Sequence, residues 1–140
     1  MATLSINSIK AGDSLPTREL VCDTVQLFFY NAALWNAHRI HFDAPYATDV
    51  EGYPGLVVAG PLIGDWLTQC VLEWMGDSGE LVSFEFSNRR AAYVDDPLVS
   101  GGNVLSVDAE TGLVTLDLHV LNEEQEVIAP GQAVVRFPLD

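Results

Sequence analysis

The helix that begins at Gly60-Pro61 constrains the fold of this chain more than any other feature. Proline fits the first turn of a helix because its missing N–H would have no partner there. Apolar residues then cover most of the helix circumference, which predicts a helix that is largely buried. They are Leu62, Ile63, Trp66, Leu67, Cys70, Val71 and Trp74. With Gly76 as its stop, this helix is the core on which the other elements must pack.

The residues after Gly76 change to a period of two, which is typical of half-buried β-strands. Apolar and polar residues alternate in four runs, at 82–86, 104–107, 114–120 and 133–137. Glycine and proline predict breaks at Ser100-Gly101-Gly102 and at Pro130-Gly131. Together the four runs predict an antiparallel meander.

A shorter pair of elements precedes the long helix. A strand is expected at 18–21, followed by a helix that Asp23 or Thr24 caps and that ends near Trp35. The apolar face of the sheet needs a cover, and the buried helix is the obvious one. The sequence therefore predicts one α+β domain over residues 1–140, in which an antiparallel sheet packs on a single buried helix.

The composition excludes several classes of protein. Twenty acidic residues against six basic ones give a net charge of −14, so binding to nucleic acid or to an anionic membrane is not expected. No apolar run reaches the roughly 18 residues that span a bilayer, and the first residues lack the pattern of a secretion signal. We therefore expect a cytoplasmic protein. Cys22 and Cys70 lack metal-ligand spacing and are expected to be buried thiols.

The stretch 36–59 has no clear period, and long irregular segments in compact domains are usually functional. Its most polar part runs from Asn36 to Asp43 and contains His38 and His41. These side chains could simply cap turns, and His38, His41 and Asp43 could bind zinc if the fold brought them together. No further histidine or cysteine stands nearby, so we expect no metal.

Gly60 offers a different kind of site at the start of the long helix. The first N–H groups of a helix lack partners within the helix and lie at the positive end of its dipole. Because Gly60 has no side chain, a ligand atom can approach that N–H closely, as in an oxyanion hole. The alternative is a tight turn that needs glycine for its backbone angles.

Three motifs in order resemble the MaoC-like hydratase and dehydratase family. Asn36-Ala37-His38-Arg39-Ile40-His41-Phe42-Asp43 is similar to the family's Asp-x-Asn-Pro-x-His-x-Asp, and Val58-Ala59-Gly60 is similar to its Val-His-Gly. The segment 90–97 looks like its Arg-x-Pro-Val-x-x-Gly-Asp. Glu51-Gly52-Tyr53-Pro54-Gly55 and Gly60-Pro61 resemble the branch of mitochondrial-type 3-hydroxyacyl-thioester dehydratases and mesaconyl-CoA-type hydratases.

This resemblance implies a hotdog fold, in which a curved antiparallel sheet wraps around the long helix. It also implies an (R)-type enoyl-CoA hydratase or 3-hydroxyacyl-thioester dehydratase that needs no metal or redox cofactor. In the family, an aspartate and a histidine hold the water, and a glycine N–H stabilises enolate-like charge on the thioester carbonyl. His41 is then the acid and base, Gly60 supplies the N–H, and Tyr53 lines the acyl pocket.

Two positions depart from the family's motifs. Asn36 stands where the family has its catalytic aspartate, and an amide is not a base near neutral pH. We expect Asn36 to position the water, with Asp43 as a candidate replacement acid. Ala59 replaces a histidine beside Gly60, which removes a polar side chain from the substrate-binding mouth but keeps the backbone N–H. If these changes impair the site, the chain is one subunit of a heteromeric hydratase, or a binding module.

Three arginines are further candidates around the site. Arg39 lies between the two histidines and could keep His41 neutral by like-charge repulsion, or could form a surface ion pair. Arg89 and Arg90 are adjacent cations in an acidic chain. They could hold the phosphates of CoA or of a carrier protein, or could pair with acids on the sheet.

The same resemblance also suggests thioester hydrolysis as an alternative reaction and a second hotdog domain as a partner. Hotdog thioesterases use a carboxylate on the central helix, for which Asp65 is a candidate with Glu73 behind it, unless both face solvent. A single hotdog domain has an open sheet edge and an incomplete acyl pocket. We therefore expect a homodimer or a hotdog heterodimer.

Overall fold

The computed structural model describes residues 3–139, and the predicted long helix lies at their core. This helix, α2, spans Gly60–Met75. Pro61 occupies its first turn, and the N–H of Gly76 donates to the carbonyl of Leu72 at its end. Its buried residues lie on several sides, as the pattern predicts: Leu62, Ile63, Gly64, Trp66, Leu67, Cys70, Val71 and Met75. No helix within the described range is long and apolar enough to cross a membrane.

Five antiparallel strands form one sheet that packs on α2. In chain order they are β1 (Arg18–Leu20), β2 (Glu80–Phe86), β3 (Leu98–Asp108), β4 (Leu113–Leu121) and β5 (Val127–Arg136). The alternating pattern buries one face of the sheet, and on β4 the buried residues are Val114, Leu116, Leu118 and Val120. The curled sheet around one central helix confirms the predicted α+β hotdog architecture.

The predicted meander is right for β3, β4 and β5 but wrong for β2. The strand order is β1-β3-β4-β5-β2, so β2 pairs with β5 and not with β3, the next strand along the chain. The connection 87–97 is too long for a hairpin turn. It first follows β5, where the N–H of Ser87 donates to Pro130, and then passes the start of α2. This crossing brings a third chain segment to the beginning of the central helix.

Both predicted breaks lie inside strands. Gly101 and Gly102 belong to β3, and Pro130 and Gly131 belong to β5. Glycine is needed at position 102 for close approach rather than for a turn, because a Cβ there would lie 2.3 Å from the carbonyl oxygen of Asp117. The sequence pattern alone does not distinguish these two uses of glycine.

Helix α1 (Thr24–Ala33) presents an apolar face to solvent. Asp23 caps it by accepting from the N–H of Gln26 at 2.7 Å, as predicted. Only Leu27 and Asn31 of this helix are buried. Phe28 and Phe29 are more than half exposed, and Trp35, just beyond the helix end, is 93% exposed. These exposed aromatic side chains give α1 an apolar outer surface.

Candidate active site

Three segments meet beside the first turn of α2. His38 caps a short 3₁₀ helix, Arg39–His41, and the carbonyl of Ile40 accepts a hydrogen bond from the N–H of Val57 at 3.0 Å. The N–H of Val58 then donates to the carbonyl of Ala92 at 2.8 Å, and in return the N–H of Val94 donates to the carbonyl of Leu56 at 3.0 Å. These backbone bonds attach the polar segment to the residues that lead into the central helix.

His41 is the buried polar side chain of this site. Only 7% of its surface is exposed, and its Nδ1 lies 2.7 Å from the carbonyl oxygen of Val57. A carbonyl can only accept, so the Nδ1–H donates and the hydrogen of the neutral ring is on Nδ1. The other ring nitrogen, Nε2, therefore has a lone pair that can take a proton.

His41 and Gly60 line one cavity of about 290 Å³. Its polar lining comes from His41, Gly60, Asn88, Arg89 and Arg90, and its apolar lining from Ile40, Val57, Val58, Ile63, Ala91 and Ala92. The motifs predict that His41 and Gly60 share a site, and the fold brings the two residues to one cavity. A histidine base and a helix-start amide at one cavity provide the two functions that acid–base chemistry next to a carbonyl requires.

The Gly60 N–H is available to a ligand. Ala59, which precedes the helix, is fully buried and gives no side-chain cap. No carbonyl among residues 3–139 accepts from the Gly60 N–H. It lies at the positive end of a 16-residue helix, where an oxygen that gains negative charge is stabilised.

Several predicted site residues do not line this cavity. The Asn36 side-chain oxygen accepts from the N–H of His38 at 3.2 Å. Tyr53 is half-buried, and its ring packs against Tyr93 at a centroid distance of 6.3 Å. Ala59 is packed in the core. Their predicted roles at the substrate therefore gain no support from their positions.

Asp43 and Arg39 form an ion pair at the surface. The Arg39 guanidinium donates to Asp43 Oδ2 at 2.7 and 3.0 Å and also lies 4.2 Å from the ring centroid of Tyr46. These hydrogen bonds lower the pKa of the Asp43 carboxyl. A carboxylate held ionised by an arginine is a poor proton donor, so the structure favours the ion-pair explanation for both residues.

The other charged candidates separate into paired and unpaired groups. Both Arg89 and Arg90 line the cavity. Arg90 pairs with Glu126 at 3.0 Å, whereas Arg89 has no acidic partner among residues 3–139. Asp65 accepts a hydrogen bond from the Tyr30 hydroxyl at 2.7 Å. Burial and this bond raise the pKa of Tyr30. Glu73 lies 3.4 Å from Arg18.

Asn88, a residue that the motifs do not predict, lines the cavity directly over Gly60. Asn88 stands in the irregular connection after β2, where no motif or period marks it. Within the described range, no group of three or more histidine, cysteine, aspartate or glutamate side chains is placed to hold a metal ion.

The curved sheet, the buried helix and the cavity at the helix start define a hotdog protein. The chain belongs to the hydroxyacyl-thioester dehydratase type 2 family, whose sequence model matches residues 5–94. This finding confirms the resemblance seen in the motifs.

Two relatives match part of this chain. Mesaconyl-C(4)-CoA hydratase of Chloroflexus aurantiacus is 47% identical over 73 residues, which are 52% of this chain and 25% of that protein. Hydroxyacyl-thioester dehydratase type 2, mitochondrial, of Schizosaccharomyces pombe is 39% identical over 79 residues, covering 53% of this chain and 25% of that protein. The match thus spans a quarter of each relative's length.

Solved structures share the fold at low sequence identity. The (R)-hydratase of A. caviae involved in PHA biosynthesis superposes with a TM-score of 0.85 at 16% identity, covering 94% of this chain and 98% of that one. This likeness confirms the hotdog fold.

Proposed function

We propose that this chain catalyses the reversible addition of water to an α,β-unsaturated acyl thioester. It would act as an (R)-type enoyl-CoA hydratase or 3-hydroxyacyl-thioester dehydratase. The main support is that buried His41, with a free Nε2, lines the same cavity as the Gly60 N–H. The names of the two sequence relatives describe the same class of reaction.

In the proposed mechanism, His41 transfers both protons. Its Nε2 takes a proton from water as the oxygen bonds to Cβ of the enoyl group, and the π electrons move onto the thioester carbonyl. The Gly60 N–H stabilises the resulting enolate oxygen. The imidazolium then returns the proton to Cα, which completes the 3-hydroxyacyl product. Dehydration is the reverse of these steps.

The second ring nitrogen keeps His41 oriented through the whole cycle. The Nδ1–H remains bonded to the Val57 carbonyl while Nε2 gains and loses a proton. Because Nδ1 orients the ring and Nε2 transfers the proton, the proposed mechanism needs no aspartate or glutamate side chain. Neither a metal nor a redox cofactor has a role in the proposed steps.

Hydration and hydrolysis are separated by one assay on crotonyl-CoA. We expect the absorbance of the conjugated enoyl thioester to fall without release of free thiol, because water adds to carbon and the thioester remains. Release of thiol would instead indicate the thioesterase. That alternative is weaker because its candidates, Asp65 and Glu73, are bonded to Tyr30 and Arg18 and do not line the cavity.

Arg89 is the proposed contact for the anionic part of the substrate. In a chain of net charge −14, a CoA or carrier phosphate needs a local cation. We expect Arg89→Gln to raise KM for crotonyl-CoA about tenfold with little change in kcat. Arg136→Gln makes the same change of charge at the far end of β5 and should leave KM unchanged. Equal KM values for the two variants would contradict the assignment.

We also propose that a second hotdog domain completes the protein in solution. Strand β2 pairs only with β5 and has an open edge within the described sheet, and the apolar face of α1 is exposed. Both features suit a protein partner. The partner could be another copy or a related domain that supplies activity if this site is impaired. The cytoplasmic location stays a prediction, since the S. pombe relative is named as mitochondrial.

A further inference from the structure

We infer that Asn88 is a second hydrogen-bond donor to the thioester carbonyl oxygen, beside the backbone N–H of Gly60. The inference rests on the proposed hydratase function and adds a residue to it. Asn88 lies two residues after the end of β2 and lines the same cavity as His41 and Gly60.

The side-chain amide of Asn88 lies directly against Gly60. A Cβ placed on Gly60 would be 2.4 Å from Nδ2 of Asn88 and 3.7 Å from its Oδ1. That Cβ and the Gly60 nitrogen share one Cα, so the two nitrogen donors are within about 5 Å of each other. A single oxygen can accept from both at that separation, at about 2.9 Å from each. The Asn88 amide nitrogen is therefore placed to donate to the same carbonyl oxygen that accepts from the Gly60 N–H at the start of α2.

The Asn88 amide is free to bind a ligand. Its side chain is exposed at the cavity and makes no hydrogen bond with another residue between 3 and 139. An amide does not ionise near neutral pH, so its N–H donates a hydrogen bond without acting as an acid or a base. Asn88 can thus stabilise a negative oxygen without competing with His41 for the proton of water.

The chemistry gives this donor a specific effect on the rate. When hydroxyl adds to Cβ, negative charge moves to the carbonyl oxygen, and hydrogen bonds to that oxygen strengthen in the transition state. A donor of this kind changes kcat more than KM. A residue that merely shapes the loop would not stabilise an enolate.

Two Asn88 variants and one control variant at Ser87 test the inference, with crotonyl-CoA hydration as the assay. We expect kcat to fall about 100-fold in Asn88→Ala. It should fall further in Asn88→Asp, because a carboxylate donates nothing and places negative charge beside the enolate oxygen. Ser87→Ala changes the preceding side chain, which does not line this cavity, and should retain the wild-type kcat. Circular dichroism verifies that each variant is folded.

The enolate of acetoacetyl-CoA gives a second readout. Donors at the carbonyl oxygen favour the enolate of this bound ligand, so its ultraviolet absorbance should be weaker with Asn88→Ala and Asn88→Asp than with wild type. If either folded variant keeps kcat within threefold of wild type and the same enolate absorbance, the Asn88 assignment is wrong while the hydratase proposal stands. If wild-type protein hydrates no enoyl thioester, both are wrong.

Discussion

His41→Ala is expected to lower kcat for crotonyl-CoA hydration by about 10³-fold. General acid–base catalysis by a placed side chain contributes on the order of 10² to 10⁴, and His41 is assigned both proton transfers. Binding of the thioester should change much less, because the Gly60 N–H and Arg89 remain in place. The measurement is steady-state loss of enoyl absorbance, with kcat and KM determined separately.

His38→Ala is the matched control for this prediction. The His38 ring lies 5.9 Å from the His41 ring, but His38 is exposed and does not line the cavity. We expect its kcat to stay within a few-fold of wild type. If His41→Ala retains more than a tenth of the wild-type rate, or if His38→Ala loses as much as His41→Ala, another group is the base.

The largest effect on stability is expected from Leu67→Ala in the middle of α2. Leu67 is fully buried, and its Cδ1 would lie 3.2 Å from a Cβ placed on Gly131 of β5. Truncation leaves a cavity between helix and sheet, and Leu→Ala changes of this kind lower the free energy of unfolding by about 3 kcal/mol. Urea unfolding followed by circular dichroism measures the change.

Leu72→Ala provides the comparison on the same helix. Leu72 is 44% exposed, so its truncation should change the free energy of unfolding by less than about 1 kcal/mol. A similar loss in both variants would mean that a partner domain covers Leu72, or that α2 is not the core of the folded chain.

The sequence predicts α2 well because apolar residues cover most of its circumference and leave a strong local signal. The same holds for β4, where Val114, Leu116, Leu118 and Val120 alternate with polar residues. The position of β2 has no such signal. Its pairing with β5 depends on where the connection 87–97 crosses the sheet, and that path is fixed by bonds between residues far apart in sequence.

The candidate site was only partly predictable for a related reason. His41 and Gly60 stand in family motifs, so the resemblance to the family could assign both residues to one site. Asn88 is an exposed asparagine in an irregular segment, and only the crossing of that segment past α2 places it over Gly60. The motif also directed attention to Asn36, whose side chain is bonded to the His38 N–H instead.

The four residues 57–60 link the base to the amide through a short piece of backbone. The Val57 carbonyl holds the imidazole, and the Gly60 N–H follows two peptide groups later. Val57, Val58 and Ala59 are buried, and the N–H groups of Val57 and Val58 donate to the carbonyls of Ile40 and Ala92. Packed backbone therefore sets the spacing between the imidazole and the helix-start amide before any ligand arrives.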